Sequence, residues 1–128
     1  MTTGRISSLK QVAEVARHDG QLRHALRDFL DGFYAAPMPE KVHDEPARLA
    51  SSLNDDGFAD AYLAAVCDHL CRQHRLPRPD WVRQSDRVLH TPYFAAKTHA
   101  LRMIYLQESP TAFKQRNIFV SANTLSRA

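Results

Sequence analysis

The chain has 128 residues, of which 44% are hydrophobic and 24% charged, with a net charge of +3. This length buries a core without disulfides or metal ions, and the composition is that of a globular domain rather than a disordered chain. No stretch approaches the ~20 apolar residues of a membrane span, and the first residues lack the apolar run of a secretory signal. We therefore expect a single cytoplasmic domain over residues 1–128, with no membrane partner.

The charge is unevenly distributed along the sequence. Residues 1–70 carry 7 Lys or Arg and 11 Asp or Glu, a net charge of −4, whereas residues 71–128 carry 10 and 3, a net charge of +7. A basic half favours an acidic partner, either a protein or a nucleic acid. The alternative interpretation is an ordinary solvated surface.

Apolar residues recur with helical spacing through the first half of the chain. Ser7 or Ser8 is a suitable N-cap for the first helix, and Gly20 ends it. Pro37 and Pro39 end the second helix. The helices predicted for this half cover residues 8–17, 21–33, a short stretch near 47–53, and 58–74.

The second half predicts shorter elements. Asp80 is expected to cap a helix over residues 81–87, and residues 93–107 predict a longer helix. Ser109 as N-cap and Pro110 at the first helical position predict a short helix to about residue 116. Residues 118–120 are expected to be extended, and residues 121–127 to form a last helical turn. The inward residues expected in the 93–107 helix are Ala96, Ala100, Leu101, Ile104 and Tyr105.

No alternating strand pattern joined by hairpin turns is found. The predicted class is all-α, a single compact bundle of about five to seven helices with a short extended segment near the C-terminus.

Candidate metal ligands are few. Cys67, Cys71 and His74 share one helix face, but a zinc site needs three or four ligands, and one helix rarely supplies three. We interpret the cysteines as reduced, small core residues and expect no metal site and no cofactor. No phosphate-binding loop or nucleophile motif is present, and we assign no catalytic residue and expect a protein that is not an enzyme.

The C-terminal segment, residues 108–128, combines apolar, amide and basic side chains, whereas chain ends are usually polar. Such a segment packs either on its own domain or on a partner, and both alternatives stay open from the sequence. We interpret it as a partner-binding element. The predicted binding residues are Phe113, Lys114, Arg116, Asn117, Phe119, Asn123, Leu125 and Arg127.

Several stretches resemble a known group of proteins. The matching stretches are ALRDFLDGFY (25–34), AYLAAVCDHL (61–70), LPRPDW (76–81), ESPTAF (108–113), RNIFV (116–120) and LSR (125–127). In these stretches the chain resembles small bacterial proteins encoded beside a predicted nucleotidyltransferase in modules of toxin–antitoxin type. The C-terminal motif is the most specific part. The resemblance implies an antitoxin-like protein that binds and neutralises a nucleotidyltransferase toxin.

The alternative function is a nucleic-acid-binding regulator that uses the basic half. The first two predicted helices, joined at Gly20, have the outline of a helix-turn-helix. However, Asp28 and Asp31 oppose the basic residues of the second helix, which favours helix packing over phosphate contact.

Overall fold

The computed structural model describes residues 6–126, so Arg127 lies outside the described part of the chain. The chain is mostly helical there, which confirms the predicted all-α class. No helix within these residues is both long and apolar enough to cross a membrane. The α-helices are α1 (Leu9–Asp19), α2 (Leu22–Ala35), α3 (Glu40–His43), α4 (Ala50–Leu53), α5 (Phe58–His74), α6 (His99–Glu108) and α7 (Thr111–Lys114), joined by 3-10 helices at Asp80–Arg83 and Ser85–Arg87 and by strands β1 (Tyr93–Phe94) and β2 (Ile118–Phe119).

Helices α1 and α2 form a packed pair around one tight turn. The Ser8 hydroxyl accepts a hydrogen bond from the Gln11 amide at 3.2 Å, which satisfies one of the free amides at the start of α1. Gly20 has φ 71°, and its amide donates to the Ala16 carbonyl at 2.8 Å, which closes the helix. Both ends of the first predicted helix are thus set by local residues.

Helix α5 is the centre of the molecule, and its observed bounds confirm the predicted ones. The Asp55 carboxylate accepts hydrogen bonds from the Gly57 and Ala59 amides at 3.0 and 2.9 Å and caps its start. Side chains are buried on most of its circumference, and α4, α7 and both 3-10 helices pack around it. A helix that is apolar nearly all round belongs inside a domain, as this one does.

Residues 80–87 differ from the single capped helix that was predicted. Asp80 lies inside the first 3-10 helix, and the extended backbone of Gln84 separates that helix from the second. The fully buried Arg87 holds the region together. Its guanidinium donates to the carbonyls of Asp60 and Pro46 at 3.1 and 2.8 Å and lies over the Trp81 ring.

The prediction of one helix over residues 93–107 was wrong. Strand β1 pairs in parallel with β2, and the Tyr93 amide donates to the Asn117 carbonyl at 2.9 Å. Helix α6 begins only after Thr98, whose hydroxyl accepts from the Leu101 amide. This pairing joins positions far apart in the sequence, so helical spacing alone did not reveal it. Helix α3 was also not predicted, and residues 121–126 form hydrogen-bonded turns rather than a helical turn.

Gly20 and Gly32 test whether the left-handed backbone at residue 20 makes glycine favourable in the α1–α2 turn. A Cβ at Gly20 or Gly32 meets no atom within 4 Å, so only backbone conformation distinguishes the two positions. We expect Gly20→Ala to lower the free energy of unfolding by about 1 kcal/mol, because its φ is left-handed. Gly32→Ala, inside α2, should raise it by about 0.5–1 kcal/mol. Urea denaturation measures both, and equal effects of the same sign would contradict the assignment.

Candidate partner-binding surface

Two of the apolar residues predicted to bind a partner lie in the chain's own core. Phe113 is fully buried, and its ring centroid lies 5.5 Å from that of Tyr62. Leu125 is also buried, and its carbonyl accepts a hydrogen bond from the Tyr34 hydroxyl at 2.9 Å. In this conformation neither side chain is available to a partner.

Arg116 neutralises a buried carboxylate. Its guanidinium donates to Asp68 Oδ2 at 3.0 Å, and also to the carbonyls of Ala112 and Val82 at 2.8 and 2.7 Å. Arg72 and Arg78 donate to the other Asp68 oxygen at 2.8 and 3.2 Å. Burial raises the pKa of Asp68, but the hydrogen bonds and charges of Arg72 and Arg116 outweigh it and hold that pKa below its usual value. Arg116 therefore connects α7 to α5 inside the domain.

Asn117 and Phe119 also contact their own domain. Asn117 has a left-handed backbone, with φ 63°, and its amide nitrogen Nδ2 donates to the Leu89 carbonyl at 2.8 Å. Asn is one of the residues that tolerate this conformation best. Phe119 is half-buried, and its ring stacks on Phe94 with centroids 4.8 Å apart.

The expected N-cap role of Ser109 was wrong. Its hydroxyl donates to the Tyr105 carbonyl at 2.5 Å and accepts from the Val120 amide at 2.8 Å. Ser109 thus fastens the end of α6 to the residue after β2, and Pro110 takes the N-cap position of α7.

Two of the predicted binding residues are exposed. Lys114 has its ammonium group hydrogen-bonded to the Gln107 carbonyl at 3.0 Å, and Asn123 lies in the final turn. A binding role for these two residues stays a prediction. Most of the predicted binding residues of the C-terminal segment therefore contact the chain's own domain.

Helix α6 exposes large apolar side chains, among them Leu101 and Ile104, which were expected to face inward. None of its residues is buried. Leu101, Met103, Ile104 and Leu106 are 43%, 47%, 48% and 40% exposed. Ala100 is exposed and Tyr105 half-buried, so of the expected inward set only Ala96, which precedes the helix, is buried. Leu101 and Ile104 are neighbours on one side of the helix, and exposed apolar neighbours of this kind are typical of interaction sites.

Helix α6 is exposed on nearly all sides, and only Tyr105 is half-buried. Arg102 is exposed as well, although its Nε donates to the Ala96 carbonyl at 3.1 Å and its guanidinium lies over the Phe94 ring. Residues two positions before and after Arg102 lie on the opposite side of a helix. Ala100 and Ile104 therefore face outward. The sequence contained a sign that α6 binds more than its own domain. Its apolar residues lie on almost all sides of the helix, and packing against one domain covers only one side.

The cysteines and their neighbouring histidines do not form a metal site. Cys67 and Cys71 are free and buried, and their thiols contact the carbonyls of Val42 and Pro77 at 3.6 Å. The neighbouring Cys71 thiol and burial both raise the pKa of Cys67. Within residues 6–126 no three His, Cys, Asp or Glu side chains are close enough to hold a metal ion.

Asp68→Asn tests the buried ion cluster. We expect the free energy of unfolding at pH 7 to fall by about 3–5 kcal/mol, because Arg116 remains buried without a counter-charge. The pKa of Asp68 is lowered on folding, so its stabilisation is complete above the unfolded value of about 3.9 and is lost as the pH falls through the folded value. The difference between wild type and variant should therefore shrink below about pH 4.

Urea denaturation at pH 7 and pH 3 measures this difference. Asp80→Asn is the matched control, because Asp80 pairs with Arg83 on the open surface, and it should change stability little. If the free energies of unfolding of wild type and Asp68→Asn differ by the same amount at both pH values, the proposed ionic role of Asp68 is contradicted.

Comparisons with protein-family models, curated proteins and solved structures found no match to this chain.

Proposed function

We propose that this chain is a non-enzymatic, antitoxin-like protein that binds and neutralises a nucleotidyltransferase-type toxin encoded beside its gene. One observation carries the binding role: α6 presents large apolar side chains to solvent and buries none of its residues. The sequence resemblance supplies the class of partner.

The apolar area on α6 is large enough to matter for affinity. Full burial of one Leu, Ile or Met side chain contributes about 1.5–3 kcal/mol. Leu101 and Ile104 are three residues apart and share one side of α6, and each is nearly half exposed. Covering these two side chains would contribute roughly 2 kcal/mol before the cost of association. Clustered apolar anchors of this kind dominate binding energy at protein interfaces.

The charges beside α6 suit an acidic partner. Lys97 precedes the helix and Lys114 follows it, and both are exposed. A nucleotidyltransferase holds its metal ions with acidic residues in a cleft, and basic residues around an apolar anchor complement such a surface. This complementarity supports the resemblance-based choice of partner.

The nucleic-acid alternative has weaker support, because many cations of the basic half are already engaged. Arg72, Arg78 and Arg116 donate to Asp68. Arg87 is buried against backbone carbonyls, and Arg102 lies on Phe94. A phosphate-binding surface needs cations that are free to face the backbone of the nucleic acid.

A double substitution on α6 tests the proposal. Leu101→Glu with Ile104→Glu places two carboxylates on the exposed apolar face, so we expect loss of co-purification with the neighbour-encoded protein and loss of protection against its toxicity. Stability should change little, because neither side chain is buried. Val15→Glu, at an exposed apolar position of α1, is the matched control and should keep binding.

Three results would count against the proposal. Failure of the wild type to co-purify removes the partner, and unchanged binding by the α6 variant removes the surface. A duplex or RNA shift that is lost steeply with salt favours the regulator instead. Deletion of residues 109–128 is a poor test, because it removes Phe113 and Arg116 from the core.

A further inference from the structure

A second surface is formed by a groove of about 1070 Å³ whose lining includes no residue of α6. It runs between the first half of α2, the end of α4, the start of α5 and the C-terminal turn. One wall is aromatic: the Phe58 ring lies 5.3 Å from Tyr62 and 4.6 Å from Tyr93, measured between centroids. Phe58 and Tyr62 are half-buried and Tyr93 is exposed, so this wall is accessible from the groove.

The opposite wall is basic. Arg23, His24 and Arg27 line the groove from α2 and are exposed. Among residues 6–126 none of the three takes part in an ion pair or a side-chain hydrogen bond. Arg23 and Arg27 are four residues apart, so they lie side by side on one helix face. They form a pair of uncommitted positive charges along the groove.

Asp55 is the acidic residue in the lining, and its hydrogen bonds go to backbone amides rather than to Arg23 or Arg27. Asp55 directs both carboxylate oxygens to the backbone amides at the start of α5, at 3.0 and 2.9 Å. Burial raises the pKa of Tyr62 above its ordinary value, and the Thr124 hydrogen bond and the positive charge of Arg23 oppose that rise only in part. Arg23 and Tyr62 both line the groove. A ligand in the groove therefore meets aromatic surface and positive charge together.

The length of the groove indicates the size of its occupant. The lining residues of α2 run from Leu22 to Leu30, which is about 12 Å at 1.5 Å per residue. This length matches about two turns of a helix, and the volume lies at the upper end of about 300–1000 Å³ for small-molecule pockets. An open groove of this length fits a peptide segment better than a compact metabolite.

We propose that this groove binds an acidic amphipathic segment of a partner protein, about two helical turns long. Its apolar side chains contact Phe58, Tyr62 and Leu53, and its carboxylates pair with Arg23 and Arg27. The charge of the groove disfavours the α6 region of a second copy as the occupant, because the exposed Lys97 beside α6 would meet like charges. This inference does not depend on the identity of any toxin.

The probe is a synthetic, fluorescein-labelled peptide of about 14 residues, with Leu and Phe at helical i, i+4 spacing and Glu elsewhere. Fluorescence anisotropy with the full chain should detect its binding, and a peptide with Lys in place of every Glu should bind much more weakly. Arg23→Glu with Arg27→Glu should weaken the Glu peptide about tenfold or more. Amide shifts in NMR spectra should map to Phe58, Tyr62 and Tyr93.

Lys10→Glu with Arg75→Glu is the control, because it makes the same change in net charge at exposed residues outside the groove. This variant should bind the Glu peptide as tightly as wild type. The α6 variant, Leu101→Glu with Ile104→Glu, should also retain the peptide, so the groove and the proposed function can fail independently.

Four outcomes would overturn the proposal. The first is that the Glu peptide does not bind, and the second is that both charge-reversed double variants lose affinity for it equally. The third is that the chain binds a fluorescent ATP analogue and Arg23→Glu abolishes this binding. The fourth is that the chain self-associates and Arg27→Glu abolishes the self-association. The third outcome identifies a nucleotide site, and the fourth identifies an interface between copies.

Discussion

Asp68 is a carboxylate on the central helix with only 1% of its surface exposed. A buried charge of this kind requires a counter-charge and hydrogen bonds, and Arg116 supplies both from 48 residues further along the chain. The same guanidinium reaches the carbonyls of Ala112 and Val82. One side chain thus holds α7 and the first 3-10 helix against α5, which fixes where the C-terminal segment lies.

The position of α6 follows from this constraint. Once Arg116 fixes the segment before β2, that strand is available to pair with β1, and Ser109 fastens the other end of α6 to Val120. Helix α6 is then held at its two ends and through Arg102, and it has no second layer to pack against in residues 6–126. Its exposed Met103 and Ile104 are a consequence of how the C-terminal segment is anchored.

Local signals predicted the elements whose ends are set by neighbouring residues. The bounds of α5 were predicted because the turn at residues 54–57 precedes the helix and Pro77 and Pro79 follow it in the sequence. Strand β1 was missed because two residues become a strand only through a partner 25 positions away. Arg116 was assigned to a binding surface because a buried arginine and an exposed one look alike in a sequence, and only its distance to Asp68 distinguishes them.

The two candidate surfaces also show why the net charge of each half of the sequence does not predict where positive charge lies on the surface. The C-terminal half has the larger excess of arginine, but Arg72, Arg78 and Arg116 share Asp68, which belongs to the acidic half. The cations left free along the groove, Arg23 and Arg27, come from that acidic half. Because opposite charges from the two halves cancel inside the fold, the surface potential follows the unpaired side chains. Exposed positive charge therefore lies on the α2 side of the groove and at Lys97 and Lys114 beside α6.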